Sequence, residues 1–369
     1  MPINENAPLN VVPGAIRFNT DSMKLEYYRG GPVGFGTTTT TGEWVQVVTE
    51  NYDSVGIGTT FAAGSSIGSG TRGLFGAGRL LSPLTNSNII DYINISSTGN
   101  SVNFGNDATS ERARGACSSS TRGLFSGGYT DGGADRNTIS FVTISSTGNT
   151  QDFGDLTVSF RFHTGALSNA TRGLFMGGFN PGSNSNVIDY VTIASTGDAK
   201  DFGDLISPME GFAPKGCSNK TRGVFGADAP ASANSANIQF ITISTLGNAS
   251  SFGDLSQPRR GGTSCSNSIR GLFGGGYTPT RVNTIDYVTI ASLGNAIDFG
   301  DLTVSRSDLG SVSSPTRACF GAGVLNTPGQ SNVIDYVTIM STGNAIDFGD
   351  IQNERGNVSG CSNGHGGLG

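Results

Sequence analysis

The stretch TRGLFMGGFNPGSNSNVIDYVTIASTGDAKDFGDL, residues 171–205, decides the fold. TRGLFMGG (171–178), NVIDYVTI (186–193) and AKDFGDL (199–205) are short, rich in β-branched or aromatic residues, and bounded by Gly, Asn, Ser or Pro. Each reads as a strand. A loop leads to a fourth such block, APKGCSN (213–219), and then the next TRG begins. The TRGLF element recurs at Thr71, Thr121, Thr171, Thr221 (TRGVF), Ile269 (IRGLF) and Thr316 (TRACF), in steps of 50, 50, 50, 48 and 47 residues. The turn and last strand recur with it, as STGNTQDFGDL (146–156), TLGNASSFGDL (245–255), SLGNAIDFGDL (292–302) and STGNAIDFGDI (341–351).

Within NVIDYVTI one face carries Val187, Asp189, Val191 and Ile193, and the other carries Ile188, Tyr190 and Thr192. Both faces are largely apolar, so the strand is expected to be covered on both sides. A four-stranded unit covered on both faces and repeated six times predicts a six-bladed β-propeller, each blade packed between two neighbours. A seventh first-strand-like segment, GNVSGCSN (356–363), ends the repeats. It predicts a clasp that completes the blade begun at Thr71 and removes a sheet edge. A seventh blade built with N-terminal strands is the alternative.

Composition agrees with an all-β, turn-rich chain: 57 of 369 residues are Gly, 14% are charged, and no long segment has helical period. A net charge of −6 argues against nucleic-acid binding, which needs a basic footprint. No apolar run approaches the ~18–20 residues of a membrane span, and the start MPINENAPLN lacks the pattern of a signal peptide. Cys117, Cys217, Cys265 and Cys361 share one repeat position and Cys319 lies elsewhere. Equivalent positions in successive repeats are too far apart for a disulfide, so all five are expected to be small buried thiols of a protein assembled in a reducing cytosol.

The repeats resemble the kelch family. The doublets Gly127-Gly128, Gly177-Gly178 and Gly275-Gly276 match the kelch double glycine, and Arg112, Arg161, Arg259, Arg306 and Arg355 stand where kelch repeats often carry Arg. The kelch Trp is replaced by Phe104, Phe153, Phe202, Phe252, Phe299 and Phe348. Residues 1–50 differ in kind: GAIRFNTDSMKLEYYRG (14–30) alternates apolar and polar residues about a turn, followed by a Gly/Thr-rich linker and EWVQVV (43–48). This segment resembles a module of phage tail and virion fibre proteins. With the ending SNGHGGL (362–368), the whole resembles virion structural proteins of marine, cyanophage-type phages. The resemblance implies an N-terminal attachment and oligomerisation module (1–50) carrying a propeller (51–369). It also implies contacts with other virion proteins, a homo-oligomeric state, and a place in the virion after assembly in the host cytoplasm.

Catalytic chemistry is poorly supplied, and no enzyme activity is expected. The two histidines, His163 and His365, lie in no nucleophile context such as G-x-S-x-G, and no His/Cys/Asp set has zinc spacing. Gly-rich segments such as GSGTRGLFGAG (68–78) lead into strands, whereas a phosphate loop needs a helix N-terminus. No cofactor and no metal is expected. The repeated Asp155, Asp204, Asp254, Asp301 and Asp350 could line a cation site if they faced the central channel. The competing reading gives them backbone hydrogen bonds at a strand end or an Arg partner. Likewise Arg72, Arg122, Arg172, Arg222, Arg270 and Arg317 are expected to tie blade to blade.

One inference points to function. In a four-stranded meander the first and third connections (SNxTRG and STGN) share one face of the ring and barely vary. The second and fourth share the other face and vary freely, as in YTDGGADRN, FNPGSNSN, YTPTRVN and TVSFRFHTG. Variable loops on a rigid scaffold are where recognition is built. That face carries Tyr129, Asp131, Arg136, Phe160, Phe162, His163, Phe179, Asn180, Arg259, Arg260, Tyr277 and Arg281, the residue types that hold a sugar or protein epitope. A host-surface glycan or protein is therefore an expected partner. A lectin or glycan-active enzyme, and a purely architectural decoration protein, are the competing functions.

Overall fold

The computed structural model describes residues 15–19, 24–30, 42–46, 70–132, 137–158, 161–180, 183–209, 215–227 and 233–368. The chain divides into two compact units, residues 1–60 and 61–369. The boundary expected near residue 50 falls outside the described residues.

The N-terminal unit holds a three-stranded antiparallel sheet, Ile16–Asn19, Lys24–Gly30 and Gly42–Gln46, in sequence order. Ile16 faces Tyr27, and Tyr28, buried to 1% exposure, stands opposite Trp44. The alternation around the Asn-Thr-Asp-Ser segment thus becomes a hairpin, as its pattern requires.

The second unit is a six-bladed β-propeller. Its third blade runs outward from Gly165–Ser168 through Arg172–Met176 and Ser183–Thr192 to Lys200–Met209, all antiparallel. Blades 2, 4, 5 and 6 repeat this order from the innermost strands Gly115–Ser118, Lys215–Ser218, Thr263–Ser266 and Gly310–Ser313. Blade 1 closes the ring: Ser359–Ser362, from the far end of the chain, pairs with Arg72–Gly76, placing Cys361 opposite Leu74. The clasp is the observed closure, and the ring has six blades. Among the described residues there is no α-helix; the last element is a short 3₁₀ turn, Gly366–Leu368.

Blades adhere through apolar faces and through three repeated ties, and a buried charge pair braces most blades from within. Phe75, Phe125, Phe175, Phe225, Phe273 and Phe320, from the TRGLF position, are buried to 1% exposure or less. Each such side chain contributes roughly 1.5–3 kcal/mol of transfer free energy. Phe125 packs against Gly76 of the blade before it, Phe320 against Gly274, and Phe75 against Gly321. A ring of serines encloses the channel. Ser118, Ser168, Ser218, Ser266, Ser313 and Ser362 each donate a hydroxyl hydrogen to the backbone carbonyl of the matching serine one blade back, at 2.6–2.9 Å. The last of these bonds joins the C-terminal strand to blade 6, so closure adds the same interaction found at every other blade boundary.

The TRG arginines are the second tie, as the repeat suggests. Arg72, Arg122, Arg172, Arg222, Arg270 and Arg317 each lie 4.5–4.9 Å over the Tyr or Phe of the third strand in their own blade. Each also donates to the carbonyl of the Ile that follows the third strand of the next blade: Ile144, Ile193, Ile243, Ile290, Ile339 and Ile95. Stacking fixes the guanidinium plane while its edge reaches across the seam.

The STGN and DFGD segments are the third tie. Asn344 Oδ1 accepts the Asp301 N–H of the preceding blade at 3.1 Å, and Asn248, Asn295 and Asn100 do the same for Asp204, Asp254 and Asp350. The turn lies so close that an added Cβ on Gly300, whose φ is +144°, would strike the Gly343 carbonyl. Glycine is needed there for both room and dihedral. The repeated aspartates therefore sit on the outermost strands and do not face the channel.

Inside the blades the brace is buried charge. Arg161 pairs with Asp189, Arg259 with Asp286, Arg306 with Asp335 and Arg355 with Asp91, every side chain at 0% exposure. Blade 2 departs from the expected Arg112. Glu111 holds the equivalent position, six residues before the inner-strand Cys117, and Arg114 turns inward to meet it and Asp107. Ser140 stands there where other blades have the third-strand Asp, and it accepts from Arg114 at 3.1 Å. Blade 4 lacks both charges: Gly211 and Gln239 replace Arg and Asp in the sequence. Gln239 keeps one role of the Asp, accepting the Ile206 N–H at 3.0 Å. Arginine and aspartate are lost together because either alone would be a buried, uncompensated charge.

All five cysteines are free and buried. The Sγ atoms of Cys117, Cys217 and Cys361 pack against Gly173, Gly271 and Gly123 on the TRG strand of the following blade, which leaves no room for a larger residue. Burial pushes the Cys217, Cys319 and Cys361 thiols up to about 12.

Candidate functional face

The channel itself is nearly filled. At the constant face, a cavity of about 50 Å3 is lined by the serine ring, four cysteines and His365. At the other end lies one of about 30 Å3, lined by residues such as Thr263, Ser311 and Ser359. These volumes suit a few waters, far below the roughly 300–1,000 Å3 of a ligand pocket. The C-terminal residues cover the constant end: His365 Nε2 lies 2.8 Å from the Ser118 carbonyl and 3.3 Å from Ser168 Oγ. Burial holds the imidazole down at about 4, the Ser118 contact opposing it in part.

The opposite face is built differently. The residues just before the innermost strands take left-handed conformations, including Ala113 (φ 59°), His163 (φ 55°), Asp308 (φ 56°) and Asn357 (φ 57°). Their backbones are linked across blades: His163 N–H donates to Ala113, Asp308 to Gly261 and Asn357 to Asp308, at 2.7–2.8 Å. This collar fixes the roots of the variable loops. His163 thus has a defined backbone role, with its ring 5.1 Å from Phe162.

Two side-chain clusters stand on the collar. Across blades 1 to 3, Arg112 lies 4.4 Å over the Tyr129 ring, Tyr129 is 5.4 Å from Phe162, and Phe162 is 5.2 Å from Phe179. Asn86 binds this group: it accepts from Arg112 at 3.0 Å, donates to the Tyr129 carbonyl at 2.7 Å, and its N–H reaches Asp131 at 2.7 Å. Across blades 5 and 6, Tyr277 lies between Arg260 at 5.1 Å and Arg281 at 5.9 Å. Arg281 Nε donates to Ser307, whose hydroxyl donates to Asp308.

The structure therefore brings together Tyr129, Asp131, Phe162, His163 and Phe179 in one cluster, and Arg260, Tyr277 and Arg281 in another. Arg259 belongs to neither, because its guanidinium is buried against Asp286. Consecutive arginines point to opposite sides of a strand, which sends Arg259 inward and Arg260 to the loop face. Arg136 and Phe160 lie outside the described residues, and Asn180 is placed only as a strand position opposite Ser183. Sequence reasoning missed Asn86, Ser307 and Asn326, whose Oδ1 accepts the Arg281 N–H at 2.8 Å. They come from loops of other blades, and only the ring brings them near. Among the described residues, no group of three or more His, Cys, Asp or Glu is placed to hold a metal ion.

Fold and site together define a β-propeller compatible with a binding or structural role. No protein-family model matches the sequence, and no curated protein matches it.

Proposed function

We propose that the chain is a non-enzymatic structural protein of a phage virion, a tail-fibre, baseplate or capsid-surface component. Residues 1–50 join it to other virion proteins as a homo-oligomer, and the propeller presents its variable loop face to a host-surface glycan or protein. The observation that carries this reading is the asymmetry between the two faces. On one, the turns are spent on ties between blades, such as Asn344 to Asp301. On the other, loops of unlike sequence gather half-buried aromatics with Arg and Asp across blade boundaries. Aromatic and arginine side chains held rigidly at a surface are the usual anchors of recognition. The phage assignment itself rests on the N-terminal and C-terminal resemblance.

The test replaces Tyr129, Phe179 and Tyr277 with Ala together. Particles that assemble with the variant protein should lose host adsorption. Unchanged adsorption with intact assembly would refute the recognition role.

A further inference from the structure

At the boundary of blades 1 and 2 two arginines, Arg79 and Arg112, stand on either side of Asn86. Arg112 lies 3.8 Å from Asp131, which is already held by the Asn86 N–H at 2.7 Å. Arg79 stands opposite Asn86 across a β-bridge, and its Nε is buried without a hydrogen-bond partner. Burial and the neighbouring charge of Arg79 both push the Arg112 guanidinium down, opposed by Tyr129 and Asp131. Glu111, the residue before Arg112, is buried against Arg114. In a chain of net charge −6, the described residues here thus set two arginines beside the single carboxylate of Asp131. Leaving such donors desolvated is costly, and an anion would relieve both the orphaned Nε and the like-charge contact.

The surroundings define the anion. Tyr129 floors the Arg112 guanidinium, and Phe162 and Phe179 continue from it as a half-buried aromatic strip. A planar guanidinium fork matches a carboxylate, and aromatic faces stack on the C–H faces of a pyranose ring. We propose that Arg79 and Arg112 bind the carboxylate of an acidic sugar in a surface polysaccharide, with Tyr129, Phe162 and Phe179 carrying the sugar rings. This inference rests on the recognition role proposed above.

The test is calorimetric titration of the full chain with hexamers of galacturonate and of mannuronate, against uncharged maltohexaose. At least one uronate hexamer should bind ten-fold or more tightly than maltohexaose, and more weakly as salt rises. Arg79→Gln and Arg112→Lys should each weaken that binding about ten-fold with an unchanged melting temperature. Asp131→Asn should strengthen it, because it removes the competing carboxylate. Equal binding of charged and uncharged hexamers, no binding of either uronate, or indifference to both arginine substitutions overturns the proposal. If the Tyr129/Phe179/Tyr277 variant loses adsorption while Arg79→Gln does not, the acidic-sugar inference fails and the recognition role stands. If neither variant affects adsorption, both fail.

Discussion

Asp189→Asn tests the balance of charge inside the blades. Asp189 and Arg161 are both fully buried and paired. The asparagine keeps the volume and still accepts from Thr157, whose hydroxyl donates to Asp189 Oδ1 at 2.6 Å. What it removes is the counter-charge. Arg161 would keep its bonds to the carbonyls of Gly177, Phe175 and Val187 at 2.7–3.2 Å, but as a buried cation with no anion. Breaking such a pair costs about 3–5 kcal/mol. A propeller of this size unfolds with an entropy of roughly 0.6 kcal/mol/K, so the melting temperature should fall by about 5–8 °C. Arg161→Met with Asp189→Gln removes both charges, as blade 4 does with Gly211 and Gln239, and should recover about 2 kcal/mol or more of that loss. Scanning calorimetry of both variants decides the matter. A single substitution costing under about 1 kcal/mol, or a double variant no better than the single, would refute the account of why Arg and Asp disappear together.

Other expectations follow from the ties and the plug. His365 is held neutral in the fold, its ordinary value of 6.5 lowered to about 4, so unfolded chains take up the proton first as pH falls. Stability should therefore drop between pH 6.5 and 4 by up to about 3 kcal/mol, an upper limit because the ring keeps some solvent contact, and His365→Gln should flatten that part of a melting-versus-pH profile. Gly300→Ala should cost about 2–4 kcal/mol because its Cβ meets the Gly343 carbonyl, whereas Gly294→Ala, with open space around it, should cost about 1 kcal/mol; chemical denaturation compares them. The cysteine thiols should resist a disulfide reagent in the native protein and react on unfolding. Deleting residues 364–369 should expose the channel-lining Cys117, Cys217, Cys265 and Cys361 to that reagent, and continued protection would show that the C-terminal turn is no plug.

Much of the molecule was legible before folding because a propeller is a short-range pattern repeated. Each TRG–DYVTI–DFGD unit states its own strands, and a strand apolar on both faces must have cover on both. GNVSGCSN was readable as a first strand because it repeats the block, such as APKGCSN, that precedes a TRG element. The ties were only half readable. TRG arginine was marked as a link between blades, but it stacks on the third-strand aromatic of its own blade, Tyr92 for Arg72, while its acceptor in the next blade lies 71 or 72 residues away for Arg72, Arg122 and Arg172.

By itself, then, the sequence determined the repeating blade, its strand order and the face on which the repeats diverge, because these follow from local pattern and period, while the choice of six blades over seven was made by the pairing of Ser359–Ser362 with Arg72–Gly76. Tertiary structure alone decided which side chains meet there. The ring places Asn86 of blade 1 against Tyr129 of blade 2, and turns Arg259 inward while Arg260 faces the loops. Such neighbours are set by curvature and by the angle between blades, and no spacing along a single chain encodes them.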